Sequence, residues 1–128
     1  MTSETTITFE GDHIKVVDRG DKNLEHAREM WTDVSLLCQK HACYNVLGLS
    51  YADNAMPILD GYSHAELFRD LGITAGYRIA WVEHNAEARE HTDFVETVLF
   101  NRGLPGRSFA SEEEARAWLL GADDAAIS

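Results

Sequence analysis

Polar and apolar positions alternate over Thr5-Thr6-Ile7-Thr8-Phe9-Glu10, a period of two that predicts a strand with one covered face. Gly11-Asp12 supplies a turn and His13-Ile14-Lys15-Val16-Val17-Asp18 a second strand, so the chain opens on a β-hairpin. Arg19-Gly20-Asp21 ends it and reads as a turn into a helix rather than as an adhesion ligand. The period then changes. Leu24, Ala27, Trp31, Val34 and Cys38 recur at three- and four-residue steps, predicting an amphipathic helix from Asn23 to His41 capped by Asn23 or Asp21. Cys38 lies on that stripe and reads as a small buried hydrophobe. Tyr44 to Ser50 is almost continuously apolar, as a central strand covered on both faces requires. Gly48 inside it predicts a close approach by a packed neighbour.

Tyr51 to Gly61 has no clear period and carries Asp53-Asn54, Pro57 and Asp60-Gly61, which predicts an irregular loop. Ser63 and Glu66 then have capping-box spacing, with Tyr62 placed to staple onto Leu67, so a helix is predicted to start there. Its face is His64, Leu67, Phe68 and Leu71, and Gly72 stops it. Gly76 to Glu83 predicts a fourth strand. Ala86 to Arg102 predicts a helix with the stripe Ala88, His91, Val95 and Val98, ending at Gly103. Pro105 to Phe109 reads as a short edge strand, because proline cannot donate to a ladder. Ser111-Glu112-Glu113-Glu114 is a second capping box, before a helix that buries Ala115, Trp118 and Leu119 and ends at Gly121. Residues 122–128 read as a frayed tail. The order ββαβαβαβα predicts one α/β domain over 1–128, ordered from about 5 to 121, with mainly parallel central strands beside an antiparallel hairpin strand.

Composition narrows the function classes. A chain of 128 residues, 45% apolar and 26% charged, fits one globular core. Its net charge of −11 repels nucleic acid and anionic membrane. Residues 83–96 and 111–124 together contribute −8 of that charge, which places most of it on the outer faces of two helices. The first residues lack a basic and apolar leader, and no apolar run approaches the ~20 residues of a membrane span. Cys38 and Cys43 lack Cys-x-x-Cys spacing. A cytoplasmic setting with free thiols is the expectation.

Candidate chemistry is sparse. His84 and His91, with Glu87 between them, could share a helical face only if His84 lay within the helix, and no His-Glu-x-x-His or paired-Cys motif occurs. No metal and no cofactor are therefore expected. Ser50 at the end of the third strand, His84 just past the fourth and Asp53 as orienter would make a small hydrolase or transferase, although Gly48-Leu49-Ser50-Tyr51-Ala52 lacks the final glycine of a nucleophile elbow. The three tryptophans fall on predicted buried faces and need no binding role. The segment from Tyr51 to Tyr62 carries more apolar surface than a solvated loop needs, and predicts a lid or a contact with another chain. Met56, Ile58, Leu59, Tyr62, Ser63 and His64 are the candidate ligand- or partner-binding residues.

The starting hairpin, the long helix, the two strand–helix units and the closing Arg107-x-Phe109…Glu114-Ala115-x-x-Trp118-Leu119 together resemble the SpoIIAA-like family, related to STAS domains. The Tyr77-Arg78-Ile79-Ala80-Trp81-Val82 strand adds to the likeness, which runs from about Thr5 to Leu120. The resemblance implies a mixed sheet of four to five strands with helices packed mainly on one side. It implies a non-enzymatic regulatory or ligand-binding domain, taking a partner protein or a small apolar ligand and forming a homodimer. In regulatory relatives a serine at a helix start is phosphorylated, which makes Ser63 the candidate phosphosite, although Asp60-Gly61-Tyr62-Ser63 departs from the Asp-Ser-Ser-Gly context. A phosphate there would gain from the helix N-terminus and be opposed by Asp60 and Glu66. A capping serine is the plain alternative, and a structural homo-oligomer without a ligand the third reading of the chain.

Overall fold

The computed structural model describes residues 4–21, 23–54 and 58–120, the last with side chains from residue 62 onward. Met56 and the tail from residue 121 lie outside the described residues. Strands β1 (Glu4–Phe9), β2 (Ile14–Gly20), β3 (Asn45–Ala52), β4 (Arg78–Glu83) and β5 (Arg107–Phe109) alternate with helices α1 (Leu24–His41), α2 (Ile58–Leu71), α3 (Ala86–Asn101) and α4 (Glu112–Leu119). The sheet order among these is β1-β2-β3-β4-β5. β1 runs antiparallel to β2, and each later strand is parallel to its predecessor.

That order dictates where the helices lie. Each crossover from β2 onward steps one strand in the same direction, and crossovers of one hand then put α1, α2 and α3 on one face. Ile14, Val16, Val46 and Ile79 form that face and pack on Met30, Trp31, Phe68 and Leu99. The alternate residues Leu47, Leu49, Ala80 and Val82 face the other way, onto Ala115 and Leu119 of α4. The near-continuous apolar character of β3 and β4 thus reflects two covers.

Caps follow the sequence at two helices, where Asn23 accepts from the His26 amide and Ser111 from Glu114, and the structure adds Asn85, which accepts from Glu87. The fourth start differs from expectation. α2 begins at Ile58, so Ser63 lies inside the helix and is not its cap, and Tyr62 packs edge-on against Phe94 of α3 instead of stapling the helix start. Most of the expected loop is instead strand or helix, since Tyr51 and Ala52 continue β3. Cys38 is fully buried, and that burial pushes its thiol up to about 12.

Gly48 has a specific steric reason. It pairs with Trp81 in the β3–β4 register, and the indole lies across the space a side chain would occupy. A Cβ at residue 48 would stand 2.0 Å from Trp81 Cε3. Gly48→Ala is therefore expected to lower unfolding stability in denaturant by at least about 2 kcal/mol, as overpacking does. In a Trp81→Leu background the same change should cost clearly less, and equal costs in both backgrounds would remove Trp81 as the cause.

Candidate ligand-binding site

Strand pairing aligns three polar residues at the carboxyl ends of the central strands. Asp18 of β2 pairs with Ser50 of β3, which pairs with Glu83 of β4. Each stands four residues beyond an apolar member of the helix-covered face, namely Ile14, Val46 and Ile79. The period of two therefore points all three to that same face. They are buried, at 5%, 0% and 2% exposure in that order.

Each member of the row has a different environment. Asp18 Oδ1 accepts from Thr5 Oγ1 at 2.8 Å and lies 2.7 Å from His26 Nε2. Thr5 Oγ1 also lies 3.2 Å from that imidazole nitrogen, closing a small polar cluster between β1, β2 and the first turn of α1. The Asn23 cap fixes this turn and so aims His26 at Asp18. Glu83 Oε2 accepts from the amides of Asn85 and Ala52, at 3.0 and 3.4 Å. Asn85 Nδ2 donates in turn to the Ala52 carbonyl at 2.6 Å, so Glu83 and Asn85 tie the end of β3 to the start of α3. Glu83 is thus interior, although its charge read from the sequence as part of a solvated helix surface. Between them the Ser50 hydroxyl makes no hydrogen bond among the described residues.

Next to this row, a cavity of about 80 Å³ opens between the sheet and helices α1, α2 and α3. Trp81 forms its floor, with Ile79, and Trp31, Met30 and Phe68 form an apolar wall. The Trp31 ring stands 5.6 Å from Trp81 and 4.9 Å from Phe68, centroid to centroid. Helical spacing selects the lining: His26, Ala27, Met30 and Trp31 from α1, His64 and Phe68 from α2, and His91, Thr92, Val95, Glu96 and Leu99 from α3. Asp18 and Asn23 edge one end. At the other end Ser108 of β5 donates its amide to Glu96 Oε2 at 3.1 Å and its hydroxyl to Asp93 at 2.8 Å.

The sequence-derived candidates divide against this geometry. His64 lines the cavity. Tyr62 lies on the outer side of α2 against Phe94, and Ser63 is within α2 and half-buried, so the helix-start argument for a phosphate on it is lost. Ile58 and Leu59 fall in the first turn of α2, and Met56 lies outside the described residues. Ser50 and His84 do come together, but through the backbone: His84 Nδ1 lies 3.1 Å from the Ser50 carbonyl oxygen, which also accepts from the His84 amide at 2.8 Å. The His84 ring stacks on Tyr51, while Asp53 is exposed and held by its amide to the Gly20 carbonyl. Among the described residues no imidazole nitrogen meets the Ser50 hydroxyl. His84 precedes the Asn85 cap and shares no helical face with His91, and no group of three metal-ligating side chains occurs among the described residues. Asp18, His26, Trp31 and Trp81 were not legible as site residues one by one. The signal was the coincidence of polar residues at equal strand positions.

No family model matches the chain, and no curated protein matches it. A solved structure does, that of an uncharacterized protein of the DUF3478 family with a SpoIIAA-like fold, from Shewanella loihica PV-4. The match covers 91% of this chain and 93% of that one, at a TM-score of 0.54 and 13% identity. The chain has a SpoIIAA-like fold. The likeness is one of fold alone, and the side chains of the cavity belong to this sequence. Among the described residues of this SpoIIAA-like domain, no helix is long and apolar enough to cross a membrane.

The polar row yields a stability test of opposite signs. Ser50→Ala is expected to leave unfolding stability unchanged or raise it by about 1 kcal/mol, because a buried hydroxyl without a partner is removed. Glu83→Ala should cost on the order of 2–4 kcal/mol, since two buried amides lose their acceptor. Denaturant unfolding of both variants measures this, and a loss above about 1 kcal/mol for Ser50→Ala would mean the hydroxyl is bonded in solution.

Proposed function

We propose that this SpoIIAA-like chain is a non-enzymatic, STAS-like ligand-binding domain whose site is the cavity between α1, α2, α3 and the sheet. One observation carries the reading: an apolar cavity, floored by Trp81, is left open at the carboxyl ends of parallel strands where the core would otherwise close. Side chains were available to fill it. Ala27 lines it, and is small where a larger residue would occupy the space. Open α/β sheets place ligands at this end of their strands, which supports the same site. Aromatic walls with a few polar groups at the rim are also how small-molecule sites are usually built. This moves the expected site from the segment before His64 to the interior beside it.

The hydrolase alternative receives no comparable support, because His84 is spent on a backbone carbonyl. A regulatory role follows if occupancy changes how α2 sits on α1 and α3, since His64 and Phe68 bring α2 into the cavity wall. Titration of the ¹⁵N-labelled protein with small aliphatic alcohols and amines is the test. Amide shifts are expected to saturate and to cluster at His26, Trp31, His64, Thr92 and Val95, with the Trp31 and Trp81 indole signals moving among the first. Ala27→Leu, which fills the cavity, should abolish the shifts while leaving the fold intact by circular dichroism. Shifts scattered over the surface, or unaltered by Ala27→Leu, would overturn the reading.

A further inference from the structure

The chemistry of the cavity lining narrows what it takes. Of its described charged residues, Asp18 and Glu96 are carboxylates and Arg107 is the cation. Arg107 does not offset them. Its guanidinium lies 5.7 Å from the ring centres of both Phe109 and Trp118, which pack on the α4 face of the sheet. Glu96 is used internally, with Oε2 accepting the Ser108 amide and Oε1 lying 3.3 Å from the Ser108 hydroxyl. Asp18 is not used up in this way. Both of its hydrogen-bonding partners, Thr5 and His26, meet Oδ1, and Oδ2 accepts no hydrogen bond among the described residues. A carboxylate that is 5% exposed and half-satisfied strongly favours a donor that can reach it.

Two further features point the same way. Strand register sets Ser50 directly beside Asp18, and its hydroxyl is fully buried with no hydrogen-bond partner among the described residues. Its lone pairs add acceptor capacity beside the carboxylate, and its O–H is a donor left equally unused. The adjoining floor and wall present the rings of Trp31 and Trp81, whose faces attract a cation. A buried carboxylate beside aromatic faces is complementary to an ammonium group carried on an apolar body. The volume of about 80 Å³ suits a small alkyl body.

We propose that the cavity binds a small primary amine, its ammonium donating to Asp18 Oδ2 and its alkyl group lying against Trp31 and Trp81. The inference rests on the cavity being a ligand site, and the test separates the two. Isobutylamine, isobutanol and isobutyrate are titrated into the intact protein at about pH 8, with indole and amide NMR shifts as readout. Isobutylamine is expected to bind about tenfold or more tightly than isobutanol, and isobutyrate more weakly than either, as a charge-assisted hydrogen bond implies. Asp18→Asn keeps an acceptor for Thr5 and His26, and should erase the amine's advantage while isobutanol binding stays within about twofold. If Asp18→Asn does not fold, raised salt on the native protein replaces it; the amine must still outbind the alcohol, because a buried pair is screened little. Equal binding of amine and alcohol, or tighter binding of isobutyrate, overturns the amine proposal and leaves the cavity as a site. Absence of binding by all three overturns both.

Discussion

The contact between Trp81 and the bare backbone at Gly48 is the constraint on which the helix-covered side of this domain depends. An indole on a central strand is too large to stand upright in a layer already holding Trp31, Phe68 and Met30. It lies flat across β3 only because residue 48 has no side chain. Lying flat, it forms a floor at mid-sheet, and the cavity is the space above it between α1, α2 and α3. An ordinary β-branched residue at position 48 would push Trp81 up into that space and close it, so packing and candidate site are one arrangement.

A second constraint operates at the carboxyl ends of the strands. Near their carboxyl ends three strands carry polar side chains facing the helices, where apolar packing would have been simpler. The fold accommodates two of them by enlisting neighbours. Thr5 and His26 serve Asp18, while backbone amides at both neighbouring strand–helix connections serve Glu83. Glu83 thereby acts as a structural acid that joins the β3 and β4 exits. Asp18 differs because its two partners share one oxygen. That asymmetry gives the cavity a polar end, where His26 is the basic partner of Asp18 and Arg107 turns to the opposite face.

Most of the fold could be read from periodicity. Alternation set β1 and β2, and three- and four-residue steps set α1, α3 and α4, with caps read at Asn23 and Ser111. The start of α2 could not. Ser63 and Glu66 carry the spacing of a capping box inside a helix, and Gly61 just before them looks like a boundary because glycine is a poor helix former. A proline directly ahead of Ile58 was the competing signal for the true start, since proline suits the opening of a helix. Charge was also misleading in one place. Glu83 counted toward an acidic helix surface until the strand register turned it inward.

The sequence by itself determined the order of elements, the face that each helix buries and the parallel character of the central strands, because these depend on spacing between near neighbours. It also marked Gly48 as a place of close approach. Only the tertiary structure decided what approaches it, and which residues from β2, α1, α2, β4, α3 and β5 share one cavity. Asp18 and Ser50 are 32 positions apart in the chain and adjacent in the sheet, and Glu83 follows Ser50 by a further 33. No local period encodes that juxtaposition. It arises from hydrogen-bond register between strands, which is settled only when the helices close over the sheet.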